Sequence, residues 1–157
     1  MSVRSRRTFL GTAAAAAASG AAGCGGARGN WRFFTVPEAR TLEAMLACII
    51  PADDAPGARE AGAIHYIDRQ LGLHFKGQRQ TYRNGLAAMG NFADEPPERQ
   101  VQILQEMEKD PARRPFFDLV VTHAMQGFYG SPRHGGNAEF VSWRMLGVSP
   151  VPVRGRQ

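Results

Sequence analysis

The four histidines are the side chains in this sequence best suited to hold a metal ion or to transfer a proton. They are His65, His74, His123 and His134. No two of them combine the spacing of a helical metal-ligand pair with an acidic third ligand, so the sequence does not support a metal site. A set of His65, Asp68, His123 and His134 is kept as the alternative ligand group. His123 falls in a strongly apolar helical stretch, where a hydrogen-bonded core or interface histidine is the expected role.

Other catalytic and cofactor patterns are missing from the sequence. Dinucleotide binding uses a glycine-rich turn between a strand and a helix, whereas the glycines at 23, 25 and 26 lie at the end of an alanine- and glycine-rich N-terminal stretch. The sequence has neither the Cys-x-x-Cys-His of covalent haem attachment nor the Gly-x-Ser-x-Gly of a serine hydrolase. We therefore predict no catalytic residue, no metal ligand and no cofactor in this chain.

The export signal occupies the beginning of the chain. Its central residues are Arg6, Arg7, Phe9 and Leu10, which follow a serine and match the twin-arginine pattern. An alanine- and glycine-rich stretch of low hydrophobicity comes next, and such a stretch suits an exporter of folded proteins. The sequence thus predicts a twin-arginine signal peptide over residues 1–24 and export of the folded chain across a bacterial inner membrane.

The end of this signal resembles a lipoprotein cleavage box, because small residues at 21–23 precede Cys24. Cys24 is therefore a possible lipidation site. Cleavage at a plain small-residue site around 16–18, or before Cys24 without lipid, is equally open. Residues 25–32 are predicted to be a flexible linker. Cys48 is expected to be a small buried hydrophobe, so no disulfide framework is predicted.

Length and charge limit the remaining possibilities. A chain of 157 residues has room for one ordinary domain after the signal is removed. Its formal net charge is +5, but three of its 19 basic residues are arginines of the signal. The remaining 16 basic and 14 acidic residues are too evenly balanced to indicate a nucleic-acid partner.

The rest of the chain has the apolar spacing of helices, and no alternating run long enough for a strand is present. A capping box of Thr35 and Glu38 opens the first helix, which ends before Pro51. Three half-buried helices are predicted next: one over about 59–71, one that buries Tyr82, Leu86 and Met89, and one after Pro97 that buries Val101, Leu104 and Met107.

Residues 111–129 are apolar almost all round and are predicted to form a central, mostly buried helix. A short amphipathic helix over 138–146 follows. The expected fold class is all-α, a compact bundle of about five to six helices around the central one. The domain should span 33–150, with a short tail over 151–157.

A loop rich in glycine and proline, at 130–137, joins the last two predicted helices. It is either a rigid turn or a docking surface with Arg133, His134 and Asn137 as exposed polar contacts beside large aromatic residues. The predicted partner interface comprises Phe128, Tyr129, Pro132, Arg133, His134, Gly135, Gly136, Asn137 and Trp143.

Several of these segments resemble the gluconate 2-dehydrogenase subunit 3 family. The similar segments are Phe33 to Thr35, Ile49 to Asp53, Ala61 to Ala63, Tyr66 to Asp68, Gly127 to Gly130, Pro132 to Asn137 and Trp143 to Gly147. Pro-Arg-His-Gly-Gly-Asn is the most specific of them. The resemblance covers about 33–150, nearly the whole domain.

The resemblance implies a non-catalytic small subunit that escorts a larger, flavin-containing dehydrogenase for gluconate or a related sugar or polyol. The implied partners are the large FAD-dependent subunit, a cytochrome c subunit with haem, and the twin-arginine translocase. The implied location is the periplasm, attached to the inner membrane through the complex or through lipid. A stand-alone periplasmic enzyme or metal-binding lipoprotein is the alternative.

Overall fold

The structure, a computed structural model, describes residues 30–149. Within this range it contains six α-helices and no strand, which confirms the predicted all-α class. The helices are α1 (Val36–Ile49), α2 (Ala63–Gly72), α3 (Arg79–Ala88), α4 (Pro97–Lys109), α5 (Arg114–Tyr129) and α6 (Val141–Met145). The predicted signal peptide at 1–24, including Cys24, and the predicted tail at 151–157 lie outside the described residues.

Helix α1 begins with the predicted capping box. The hydroxyl oxygen of Thr35 accepts a hydrogen bond from the amide of Glu38, and a Glu38 carboxylate oxygen accepts one from the amide of Thr35 at 2.8 Å. Pro37 fits in the first turn because the amide it lacks would have no partner inside the helix. The helix ends at Ile49, two residues before Pro51, as predicted.

Helix α5 is the centre of the bundle, since it packs against α1, α2, α3, α4 and α6. This confirms the prediction of a central helix, but two details of it were wrong. The helix begins at Arg114 and not at Pro111, because residues 111–113 form a turn that hydrogen bonds to Asp110 stabilise. It is also not buried all round, because Met125 is 44% exposed.

Two other predicted helices differ from the observed ones. Helix α2 begins at Ala63, four residues later than predicted, because Gly62 has a left-handed backbone with φ of 64° that interrupts a right-handed helix. In α4, Leu104 and Met107 are buried as predicted, but Val101 is 41% exposed. Val101 lies instead at the rim of a shallow groove between α1, α4 and α5.

The hydrophobic core lies between α5 and the four helices that precede it. Its largest fully buried side chains are Phe34, Leu42, Met45, Leu46, Ile67, Leu71, Tyr82, Phe92, Met107, Val120 and Phe128. Cys48 lies at the edge of this core, half-buried, and its thiol donates to the Gln100 side chain at 3.5 Å. Among the helices of residues 30–149, none is long and apolar enough to cross a bilayer.

The segment before α1 is attached to α2 through one buried carboxylate. Asp68 is only 4% exposed and accepts hydrogen bonds from the amides of Arg32, Phe33 and Phe34 at 2.8, 2.9 and 3.2 Å. The ordered domain therefore reaches back past the predicted boundary at 33. Three donors offset the large cost of removing a carboxylate from water.

A second polar contact links this segment to α3. The guanidinium of Arg83 pairs with Glu38, donates to the carbonyl of Phe33 at 2.8 Å and lies 4.3 Å from the centre of the Phe33 ring. Burial alone would raise the pKa of Glu38, but hydrogen bonds from Arg83 and Thr35 outweigh burial and lower that pKa below its usual value. The capping box of α1 is thus also a contact between helices.

We predict that Asp68→Ala lowers the free energy of unfolding by about 3 kcal/mol, because it leaves three amides of the 32–34 segment without their charged acceptor. Asp68→Asn, which keeps one acceptor oxygen, should cost less. Asp118→Ala is the matched control: this carboxylate is 57% exposed and pairs only with Arg114 on the same helix, so its loss should change stability by less than about 0.5 kcal/mol. Urea denaturation of the three variants makes the comparison, and equal costs for Asp68→Ala and Asp118→Ala would contradict it.

Candidate functional site

The predicted interface lies at the end of the bundle where α5 stops and α6 begins. Helix α5 ends at Tyr129, and two single turns of 3₁₀-helix, Pro132–His134 and Ala138–Phe140, lead to α6. The connecting chain folds back onto the turn that precedes α2, because the amide of Ala138 donates to the carbonyl of Ala61 at 2.9 Å. The loop is therefore short, irregular and attached to the bundle.

The two adjacent glycines of this loop permit close contact with other backbone. A side chain on Gly136 would come within 2.1 Å of the Gly127 carbonyl oxygen on α5. Gly135 has a φ of 106°, which side chains rarely tolerate, and it lies against the backbone of His65. Gly127 in turn packs directly on Ala63, at the start of α2. These contacts are those of a rigid turn, one of the two interpretations of the loop.

Asn137 was predicted to be an exposed contact, and that prediction is wrong. Its side chain is fully buried, donates to the carbonyl of Gly130 at 2.9 Å and accepts from the amide of Ser142 at 3.0 Å. Its φ of 47° is left-handed, a conformation that asparagine tolerates better than most residues. Asn137 thus joins the end of α5 to the start of α6 and has no polar atom left for a partner.

The remaining predicted interface residues differ in exposure. Phe128 is 1% exposed and belongs to the core, which corrects its expected role, and Gly136 is buried as well. Trp143 is half-buried, and its indole donates to the carbonyl of Tyr129 at 2.8 Å. Tyr129 itself is 38% exposed.

Arg133 and His134 are also exposed, whereas Pro132 and Gly135 are half-buried. The Arg133 backbone carbonyl accepts from Arg69 at 2.8 Å, which leaves the Arg133 side chain available at the surface. We name Met125, Tyr129, Arg133, His134 and Trp143 the terminal surface. It includes Met125, which sequence reasoning placed in the core.

Strained backbone lies between His134 and Trp143 of this surface. Glu139 and Phe140 have φ values of 52° and 59°, in a region that bulky residues rarely occupy. Such conformations cost of order 1–3 kcal/mol each and persist only where the surroundings enforce them. Here the two hydrogen bonds of Asn137 hold the preceding turn, so the position of α6 is determined by the loop.

The four residues of the alternative metal site do not converge. Asp68 is engaged with three backbone amides, and His123 is buried against Tyr82. His65 is exposed and stacks on Trp31 with ring centres 5.1 Å apart. In the part of the chain that the structure describes, no three His, Cys, Asp or Glu side chains are arranged to hold a metal ion.

The sequence of residues 37–150 matches the family model described as gluconate 2-dehydrogenase subunit 3. This match covers most of the chain and almost all of the helical domain. The chain belongs to the gluconate 2-dehydrogenase subunit 3 family. The family is by its description a subunit of a dehydrogenase, so the chain is a small subunit of a dehydrogenase complex. No curated protein and no solved structure is significantly similar to it.

A large cavity of the subunit 3 domain lies away from the terminal surface. It has a volume of about 440 Å³ and opens between α3, α4 and the start of α5. Its walls are mostly apolar and include Met89, Ile103, Met107 and Phe116. Arg113, its only charged lining residue, pairs with Asp110 at 2.7 Å. The cavity therefore brings together no set of groups that could perform acid–base chemistry.

The buried histidine of this subunit 3 domain is a packing residue, as predicted. His123 is 3% exposed, its Nδ1 lies 3.0 Å from the hydroxyl of Tyr82, and its ring stacks on Phe75 with centres 4.3 Å apart. Burial lowers the pKa of His123 to about 4 and raises the pKa of Tyr82 well above its usual value. The Tyr82 hydroxyl and a neutral His123 imidazole therefore share one buried hydrogen bond.

Sequence reasoning missed several exposed residues of the subunit 3 domain. Near the end of the described chain Met145, Leu146 and Val148 are 44%, 58% and 49% exposed. At the opposite end of the domain sequence, Trp31 lines a pocket together with Arg79 of α3, and the sequence analysis did not single out this pocket. The aromatic run that begins at Trp31 was the available signal, but it was assigned to linker and domain edge.

We predict that His123 makes the domain less stable in mild acid. The folded chain keeps this imidazole neutral down to about pH 4, whereas the unfolded chain binds a proton near pH 6.5. The stability that the neutral His123 contributes is therefore fully present above about pH 6.5. It is lost as the pH falls towards 4, and the free energy of unfolding then decreases by an amount on the order of 2–3 kcal/mol.

Denaturant unfolding at pH 7, 5.5 and 4.5 measures this effect against two variants. His123→Gln cannot titrate, so the difference in stability between the wild type and this variant should shrink as the pH falls. His74→Gln is the matched control, because His74 is exposed, and its stability should parallel the wild type. A constant gap between wild type and His123→Gln over this range would contradict the prediction.

Proposed function

We propose that this chain is a non-catalytic small subunit that escorts an FAD-dependent dehydrogenase for gluconate, or a related sugar or polyol, out of the cytoplasm. The observation that carries the proposal is the family match over 37–150. The twin-arginine pattern at Arg6 and Arg7 adds the export route. In this assignment the chemistry belongs to the flavin of the large subunit, and the small subunit supplies binding and transport.

The physical reason for such an escort is the order of events in assembly. FAD is inserted into the large subunit in the cytoplasm, so that subunit must cross the membrane folded. A small partner that binds the folded flavoprotein and carries the export signal solves this problem. A cytochrome c subunit with haem then takes the electrons onward.

The terminal surface is our proposed site of contact with the large subunit. It combines an exposed methionine and an exposed tyrosine with Arg133 and His134, and methionine, tyrosine and arginine are favoured in protein interfaces. Asn137 and the two glycines support it from beneath by fixing the turn. The loop thus has both roles considered for it, with rigidity provided by its buried residues and contact by its exposed ones.

We place the mature complex in the periplasm, attached to the inner membrane. Lipid on Cys24 would contribute to that attachment, although a single acyl chain gives only reversible membrane binding. The other subunits of the complex would therefore be needed for stable attachment. Mass spectrometry of the mature N-terminus identifies the cleavage site and any lipid on Cys24.

The export route predicts the effect of changing the arginine pair. Replacement of Arg6 and Arg7 together by lysine should leave both this chain and its flavoprotein in the cytoplasm, because arginine and lysine differ in the hydrogen bonds they offer to a receptor. Cell fractionation with an assay of the dehydrogenase measures the distribution. Arg4→Lys, outside the pair, is the matched control and should export normally. Periplasmic dehydrogenase activity at wild-type level in the double variant would refute the escort role.

The terminal surface predicts a loss of affinity without a loss of fold. Arg133→Ala combined with His134→Ala removes two exposed side chains and keeps the backbone carbonyl that Arg69 uses. Binding to the large subunit should weaken by roughly 2 kcal/mol or more, while thermal unfolding is unchanged.

Two further variants separate docking from folding. Asn137→Ala removes buried hydrogen bonds and should lower the melting temperature. Lys109→Ala, at the exposed end of α4, should alter neither property. Unchanged affinity in a folded Arg133→Ala/His134→Ala variant would reject the proposed contact site.

A further inference from the structure

A small polar pocket lies where the chain enters the bundle, between the segment before α1 and helix α3. Its volume is about 310 Å³, enough for one side chain or one small organic molecule. The residues that line it are Trp31, Arg32, Phe33, Phe34, Thr35, Arg79 and Arg83. Three of the seven are arginines and none is acidic.

Two of these arginines lie one turn apart on α3 and converge on the same ring. The guanidinium carbon of Arg83 lies 4.3 Å, and that of Arg79 5.6 Å, from the centre of the Phe33 ring. Like charges at this spacing on a helix repel each other. Glu38 neutralises Arg83, which leaves the charge of Arg79 to be balanced.

Arg79 has no acidic partner within ion-pair distance in residues 30–149. Its Nε donates to the carbonyl of Leu71 at 2.7 Å. This bond fixes the guanidinium at the edge of the pocket and leaves its two terminal nitrogens as donors. A planar pair of donors of this kind matches the two oxygens of a carboxylate.

The charge around the pocket also favours an anion. The pocket lining contains three arginines, and only Arg83 is paired with a carboxylate, that of Glu38. Asp68 is buried behind the backbone of residues 32–34 and does not line the pocket, so the charged groups of the lining itself are all cations. Arg32, whose side chain is exposed, adds a further positive charge at the mouth.

We propose that this pocket binds a carboxylate group, with the terminal nitrogens of Arg79 as its donors and the aromatic faces of Trp31 and Phe33 as its walls. Only one cation of the pocket is both fixed in place and without an acidic partner, which suits a singly charged group. The carboxylate comes either from an Asp or Glu side chain of the dehydrogenase partner or from a free organic acid. The first source rests on the proposed function, and the second does not.

The first experiment uses free acids as probes of the full chain. Acetate and gluconate are titrated at constant ionic strength, with uncharged glucitol as the control for the polyol chain, and the NMR signal of the Trp31 indole is followed. Saturable shifts with an acid and none with glucitol are expected if the source is a free acid. Arg79→Gln should then weaken acid binding at least tenfold.

Two matched variants show whether the effect depends on the charge at Arg79. Lys76→Gln removes a nearby exposed cation that does not line the pocket, so it should leave acid binding unchanged. Arg79→Lys loses the Nε bond to Leu71, like Arg79→Gln, but keeps the charge. It should weaken binding less than Arg79→Gln. Equal losses of binding that come with equally lowered melting temperatures would assign the effect to folding and overturn the proposal.

The second experiment measures affinity for the large subunit. If the carboxylate belongs to the partner, free acids give no saturable shift, and Arg79→Gln weakens the complex at least tenfold while Lys76→Gln does not. Acid binding that is unchanged by Arg79→Gln would overturn the proposal. The proposal would also be overturned if free acids do not bind and Arg79→Gln leaves the affinity for the large subunit unchanged.

The two proposals fail separately. If the large subunit binds Arg79→Gln as tightly as the wild type and free acids do not bind, the carboxylate pocket is refuted and the proposed function is left intact. If the chain binds free acids through Arg79 but binds no dehydrogenase, the proposed function is refuted and the carboxylate pocket is supported.

Discussion

The buried carboxylate of Asp68 is the constraint on which the domain depends. Its three amide donors fix the backbone of residues 32–34 against α2, and this places Phe34 in the core and Thr35 at the start of α1. A buried carboxylate without donors would cost several kcal/mol, so the bundle and the entering segment must form together. The Arg83 contacts with Glu38 and Phe33 then attach the same segment to α3.

The sequence was most informative where structure is decided locally. The α1 capping box needs only residues three apart, and Pro51 ends that helix wherever the rest of the chain lies. The predicted start of α2 was wrong because Gly62, which lies within the predicted helix, adopts a left-handed backbone conformation. Helix α5 was predicted to be mostly buried, but Met125 is exposed, because hydrophobicity does not say which face of a helix packs against a neighbour.

The candidate site was less predictable because its residues act over long distances in the chain. Asn137 looks like a surface residue among glycines, and only its bonds to Gly130 and Ser142 show that it is structural. Asp68 was considered as a metal ligand, yet its partners lie more than 30 residues earlier. The convergence of Arg79 and Arg83 on Phe33 likewise requires α3 to be packed against the entering segment.

These contacts also explain how a signal could be removed without loss of the fold. The first described contacts of the domain are the stacking of Trp31 on His65 and the bond from Arg32 to Asp68. Cleavage at either of the predicted positions, around residues 16–18 or before Cys24, would leave all of them in the mature chain. Cleavage beyond Phe34 would remove every donor to Asp68. For the proposed escort, which would be folded before export and after cleavage, the signal has to end before residue 31, and the predicted boundary at residue 24 satisfies that condition.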